Sequence, residues 1–118
     1  MTETKKFDLK DRTFEFAKKV RNFCSKLPKD LISIDDLKQL IRSSGSVGAN
    51  YIEASEALSK KDFTMRIKIS RKEAKESIYW LELLAIKGPT LNLERNSLAQ
   101  EATELMKIFN SIAVKSQV

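Results

Sequence analysis

Two pairs of glutamates, Glu53 with Glu56 and Glu73 with Glu76, are the side chains of this 118-residue chain best spaced to hold a metal or move a proton. Residues at i and i+3 meet on one helix face, and inward-facing carboxylates are how helical bundles bind pairs of iron or manganese ions. Those sites also take histidine, and the chain has none. Without it, Ser–His and Cys–His nucleophiles cannot be built and the commonest metal ligand is missing. The single cysteine rules out the usual zinc sets within one chain. Oxygen-only binding of a hard cation stays chemically possible, against the plainer role of ion pairing with Arg71, Lys72 or Lys75. The expectation is a protein that is not an enzyme, with no catalytic residue, no cofactor and no metal ligand. A carboxylate metal-binding bundle is the lesser alternative.

Positive charge offers more. The net charge is +6, and it is concentrated: residues 1–30 hold nine Lys or Arg against five acids, and residues 60–75 hold seven against two. At helical spacing Lys61, Lys68, Lys72 and Lys75 share one side, with Arg66 and Arg71 close by, while Lys18, Lys19, Arg21 and Lys26, joined by Lys5, Lys6 and Lys10, enlarge the positive field. Such a surface suits nucleic acid, then an acidic protein, then an anionic membrane; phosphate backbones bind it by counterion release, with little sequence selectivity. The plain alternative is a solvated Lys-rich face. Gly45-Ser-Val-Gly48 matches the GxxG loop with which KH domains clamp a backbone, but no strands are legible around it. Neither a Walker loop nor GxGxxG is present. Tyr51, Phe63, Tyr79 and Trp80 read as core or interface rather than as base-stacking partners. Because Tyr79 and Trp80 point about 100° apart on a helix, one of them belongs at a seam or an oligomer interface.

The elements that must position these groups are helices. Three Gly, two Pro and a charged fraction of 32% fit long helices better than strands and turns. Apolar residues recur at helical spacing in four segments, placing helices at about 9–27, 34–58, 60–87 and 93–114. The first carries Leu9, Phe16, Val20, Phe23 and Leu27, with Phe14, Ala17 and Cys24 widening the stripe; Cys24 reads as a core thiol. The second carries Ile34, Leu37, Ile41, Ser44, Gly48, Ile52 and Ser55, flanked by Leu40, Val47, Tyr51, Ala54 and Leu58. Its periodicity continues through Ser43–Ala49, where glycine propensity argues against a helix. The third carries Phe63, Ile67, Ser70, Ala74, Ser77 or Ile78, Leu81, and Leu84 or Ala85. The fourth carries Leu98, Ala102, Leu105, Met106, Phe109, Ile112 and Ala113, with Lys115 to Val118 expected to fray. Ser33 with Asp36 and Ser59 with Asp62 form capping patterns, and Gly88-Pro89 separates the last two segments. Short connections make neighbours antiparallel, so the expected fold is all-α, a single up-and-down antiparallel four-helix bundle over residues 1–118. No segment is long and apolar enough to span a bilayer and the N-terminus lacks the apolar core of a signal peptide, so a soluble, cytoplasmic protein is expected, with no membrane role.

The run Gln39-Leu-Ile-Arg42-Ser-Ser-Gly45-Ser-Val-Gly48-Ala-Asn50-Tyr-Ile-Glu53-Ala, with Phe63 and Arg71-Lys-Glu73-Ala-Lys-Glu76-Ser-Ile-Tyr-Trp80-Leu, resembles the bacterial four-helix-bundle proteins first noticed as products of intervening sequences in 23S rRNA genes. That family is in turn similar to the accessory protein of diversity-generating retroelements, a barrel of five bundles that binds nucleic acid and a reverse transcriptase. Where many members read Asn-Ile-Ala-Glu-Gly, this chain reads Asn50-Tyr51-Ile52-Glu53-Ala54. The resemblance implies a homo-oligomer, specifically a pentamer, with a basic surface for RNA and no enzymatic activity. It also marks Arg42, Asn50, Glu53, Glu73 and Glu76 as the motif's polar positions, which physically suit an inter-helix network that sets register.

The functional expectation is therefore an oligomeric, non-enzymatic helical scaffold. It would bind RNA or a nucleic-acid-handling protein through Lys18, Lys19, Arg21, Lys61, Lys68, Arg71, Lys72 and Lys75. The alternative is a protein-interaction or structural module without a nucleic-acid role.

Overall fold

The computed structural model describes residues 8–30 and 32–117, so Lys5, Lys6 and Val118 lie outside the described residues. Four helices account for most of the chain: α1 Leu9–Ser25, α2 Ile34–Ser55, α3 Lys60–Leu83 and α4 Pro89–Ser116. Three begin on a side-chain cap that satisfies an otherwise orphaned amide. Asp8 accepts from the Asp11 N–H at 2.8 Å, Ser33 from Asp36 at 3.3 Å and Ser59 from Asp62 at 3.0 Å. The fourth starts differently. Gly88 takes φ of 92° at the N-cap and Pro89 occupies the first turn, where its missing N–H would have no partner anyway. Gly88-Pro89 therefore opens α4 four residues ahead of its expected start, and α3 ends at Leu83, short of the expected 87. At the far end α4 runs on to Ser116, through residues expected to fray.

Each helix lies beside its sequence neighbours and α4 returns to α1, whereas the backbones of the diagonal pairs α1–α3 and α2–α4 stay apart. That is an up-and-down four-helix bundle, about 47 Å along its longest axis. Phe16, Val20 and Phe23 of α1, Leu40 and Val47 of α2, Ile67, Ala74 and Leu81 of α3, and Ala102, Leu105 and Phe109 of α4 are fully enclosed. A side chain the size of Phe or Leu contributes about 2 kcal/mol when buried in this way. Tyr51 closes against Phe109 with ring centroids 5.9 Å apart. Helix α2 stays continuous through Gly45 and Gly48 because small residues let its neighbours approach: a Cβ on Gly48 would lie 2.8 Å from Thr13 Oγ1 of α1.

Several residues expected in the core are outside it. Phe14, Ile34 and Ile52 are exposed because each helix of the bundle buries a narrower stripe than the sequence periodicity spans, and Leu58 is exposed because α2 ends at Ser55, short of the expected 58. On α3 Ser77 is buried where Ile78 is only half-buried, and Leu84 is buried where Ala85 is not. Cys24 is in the core, where burial pushes its thiol up, only partly opposed by Lys29 and Arg21.

Candidate functional site

The α2–α3 seam is held by polar clamps. Arg42 donates to the Glu76 carboxylate and lies 3.3 Å from Glu73 Oε1, one turn earlier on α3. Glu73 is only 6% exposed, and that oxygen has no aligned hydrogen-bond donor, so the contact is an ion pair made by proximity alone. Glu76 also accepts from Trp80 Nε1 at 2.9 Å. This hydrogen bond, with the Arg42 guanidinium behind it, holds the Glu76 carboxyl below the usual carboxylate range; Arg42 is in turn raised, chiefly by its bond to Glu76. Of the other motif positions, Asn50 forms a separate clamp, accepting from Arg66 at 3.2 Å and donating to the Ser46 carbonyl at 2.9 Å. Glu53 belongs to neither clamp; it is exposed in a shallow cleft with Glu56, Asp62 and Arg66. Between the helices, the Ser43 and Ser77 hydroxyls meet at 3.0 Å and Ser70 donates to the Val47 carbonyl at 2.9 Å. These buried hydroxyls are all satisfied.

Helix α1 is tied to α4 by Arg12. It makes a bidentate pair with Glu101 at 2.7 and 2.8 Å and a further bond to Glu104 at 2.8 Å, which raises the Arg12 pKa, the Glu101 bond being the largest cause. Lys26 pairs with Glu94 at 3.0 Å. Local sequence carried no sign of this clamp, because its partners lie some ninety residues apart and each sits in an ordinary charged stripe.

The cations expected on α3 do share a face. Lys61, Lys68 and Lys72, with Met65 and Ile69 between them, line a groove of about 940 Å³ that α4 closes with Ser116 and Gln117. A second cleft of about 500 Å³, lined by Arg71, Lys72, Lys75, Met106, Lys107 and Asn110, shares Arg71 and Lys72 with it. No Asp or Glu lines either one. Arg71 is half-buried and donates to Asn110 Oδ1 at 2.9 Å, bracing the α3–α4 seam beneath the lysines. Lys61, Lys68 and Lys75 form no salt bridge among the described residues, whereas Arg66, grouped with them by sequence, is turned to Asn50. Met106, Lys107 and Asn110 were missed from sequence, because they fall in a segment whose charges balance and only tertiary packing sets them beside α3.

The α1 cations do not extend this surface. Because α1 is diagonal to α3, their outer faces point away from each other. Lys19 sits in an α1–α4 cleft with Glu15, Glu101 and Glu104. Arg21 lies along α2, within 3.4 Å of where a Gly45 Cβ would stand, and Lys18 rests over the Phe14 ring at 5.8 Å. In place of the expected single positive field, the cations of α3 line its α4 side, Lys18, Lys19 and Arg21 are scattered over α1, Lys10 lines an α1–α2 cleft and Lys26 is paired with Glu94.

The carboxylate pairs do not converge into a ligand set. Glu73 and Glu76 both serve Arg42, and no cluster of three His, Cys, Asp or Glu side chains able to hold a metal forms among the described residues. No helix among them is long and apolar enough to cross a membrane.

Fold and site together define a small four-helix-bundle protein with clamped seams and one acid-free cationic groove. Residues 5–111 match the 23S rRNA-intervening sequence protein family, and the chain belongs to that family. It is also similar to a crystal structure of a protein of unknown function from the S23 ribosomal protein family of Bacteroides thetaiotaomicron VPI-5482. The two are 34% identical with a TM-score of 0.77, over 90% of this chain and 98% of that one. No curated protein matches the chain.

Proposed function

We propose that this protein is a non-enzymatic, oligomeric scaffold that binds the phosphate backbone of RNA in the α3–α4 groove. The observation that carries the proposal is the two adjoining clefts, sharing Arg71 and Lys72, with Lys61, Lys68, Lys72, Lys75 and Lys107 on their walls and no acid among their lining residues. Lys61 and Lys75 are about 21 Å apart along the helix axis, a length that spans several phosphates at 3.4 Å per residue of a duplex strand. The family description connects its members with 23S rRNA intervening sequences, which makes RNA the first polyanion to test. A binding rather than catalytic role is supported by Glu73 and Glu76, one of the two best-spaced carboxylate pairs, being engaged with Arg42.

The test is fluorescence anisotropy with labelled RNA and duplex DNA across a salt series. With about five phosphates neutralised, log K falls against log salt with a slope of about −3.5 for a single strand. The Lys68→Glu, Lys72→Glu, Lys75→Glu triple variant abolishes binding at low salt. Absence of binding by the unmodified protein at low salt refutes the proposal. It would favour the second reading, a protein-interaction module acting through the opposite face, where exposed Phe14 and Ile52 flank a small cleft of about 290 Å³ containing Gly45, Gly48 and Ala49.

A further inference from the structure

The cation stripe of α3 ends on an aromatic ring. Lys61 and Tyr79 are eighteen positions apart, about five full turns, so they leave the helix on the same side about 27 Å from each other. Met65, Lys68, Lys72 and Lys75 fall within about 40° of the line joining them. Tyr79 is 58% exposed, and one turn further on Leu83 is 50% exposed. The ring is nonetheless held in place. It meets Trp80 edge-on, centroids 5.1 Å apart at 80°, and Trp80 is anchored through its Nε1 to Glu76, which Arg42 holds from α2.

A solvated lysine face has no use for a positioned, open tyrosine in its own line. A polynucleotide does, because base–aromatic stacking is open to every base but requires the base to be unpaired. Lys75 and Tyr79 are one turn, about 6 Å, apart along the axis, close enough for one nucleotide to place its phosphate on Lys75 and its base on Tyr79. We infer that Tyr79 is a stacking platform for an unpaired base, and that the groove's ligand is single-stranded. The inference rests on the groove as a phosphate track and adds the strand form that the charges alone do not select. Lysines satisfy a duplex backbone equally well, whereas a duplex keeps its bases in its own stack.

The probes are a short fluorescein-labelled RNA without self-complementarity and the same strand annealed to its complement, titrated at one fixed salt concentration. Tyr79→Ala weakens single-strand binding about tenfold, the size of one stacked base. Its duplex binding and its salt slope stay at the unmodified protein's values, and Tyr79→Phe restores the single-strand affinity. Trp80 is the only tryptophan, so its emission also responds to the single strand and not to the duplex. Equal losses on both probes, or no loss on either, overturn the stacking role while leaving the groove standing. A Tyr79→Ala protein with unchanged RNA affinity and a lower mass in solution would show Tyr79 and Leu83 to be a protein contact instead. If the unmodified protein binds neither probe, the groove fails and the stacking role fails with it.

Discussion

At the scale of single residues, two glycines three positions apart on one helix have opposite roles. A methyl on Gly48 would collide with Thr13, whose β-branched side chain is buried and whose hydroxyl is bonded to the Lys10 carbonyl at 3.0 Å. At Gly45 the nearest atoms are the far end of the Arg21 side chain, at 3.4 Å, which can swing aside. Alanine gains about 1 kcal/mol of helix propensity at either place, while overpacking a buried contact costs about 1–3 kcal/mol. Gly45→Ala should therefore raise stability by up to about 1 kcal/mol, and Gly48→Ala should lower it by about 1 kcal/mol. Urea midpoints for the two variants test the sign of each change.

At the scale of helices, seams are set by polar contacts as much as by apolar ones. No helix has a basic residue in its last turn except α4, and a cation from the loop after α1 and one from α4 serve the ends of α1 and α3. Lys29 donates to the Cys24 and Leu27 carbonyls at 2.9 and 3.0 Å, and Arg95 reaches the Leu81 and Leu84 carbonyls at 3.3 and 3.4 Å. Favourable interaction of positive charge with a helix C-terminus makes this a general device. The α2–α3 clamp carries a pH dependence. Trp80 and Arg42 hold the Glu76 carboxyl below its usual range in the folded chain, so the stability it contributes is full above about pH 4.3 and is lost as pH falls through the lower, folded-state value. Urea midpoints should be flat between neutral pH and about pH 5 and decline below about pH 4. Arg42→Ala, which leaves the buried Glu73 without its cation, should begin about 2 kcal/mol less stable, less than for a wholly buried pair because Arg42 is half exposed. Its deficit should shrink in acid, and a deficit independent of pH would remove the clamp's electrostatic role.

At the scale of the whole molecule, the diagonal placement of α1 and α3 separates two surfaces. The groove lies on the α3–α4 side and the exposed Phe14 and Ile52 on the α1–α2 side, so association through α1–α2 would leave every groove open. For the oligomeric scaffold proposed above, light scattering should give a multiple of the 13.5 kDa chain mass, five-fold for a pentamer. The mass should be the same for the Lys68→Glu, Lys72→Glu, Lys75→Glu variant. A monomer would refute the scaffold reading, and a mass altered by the triple variant would mean that the groove is itself the contact between copies.

The helices, their order and most of the enclosed residues were legible in the chain, because 3.6-residue periodicity, side-chain caps and Gly88-Pro89 are local signals. Arg42, Glu73 and Glu76 were legible as motif positions, and Lys61, Lys68, Lys72 and Lys75 as one face, since residues on a single helix keep their relative angles in any fold. Local pattern could not say which residues from different helices would meet. It grouped the α1 lysines with those of α3, attached Glu53 to a clamp it does not join, placed Phe14 and Ile52 in the core, and gave no sign of Lys107 and Met106 beside α3 or of Arg12 on Glu101. Those assignments depend on the rotation and diagonal placement of whole helices, and only the packing of the bundle sets these.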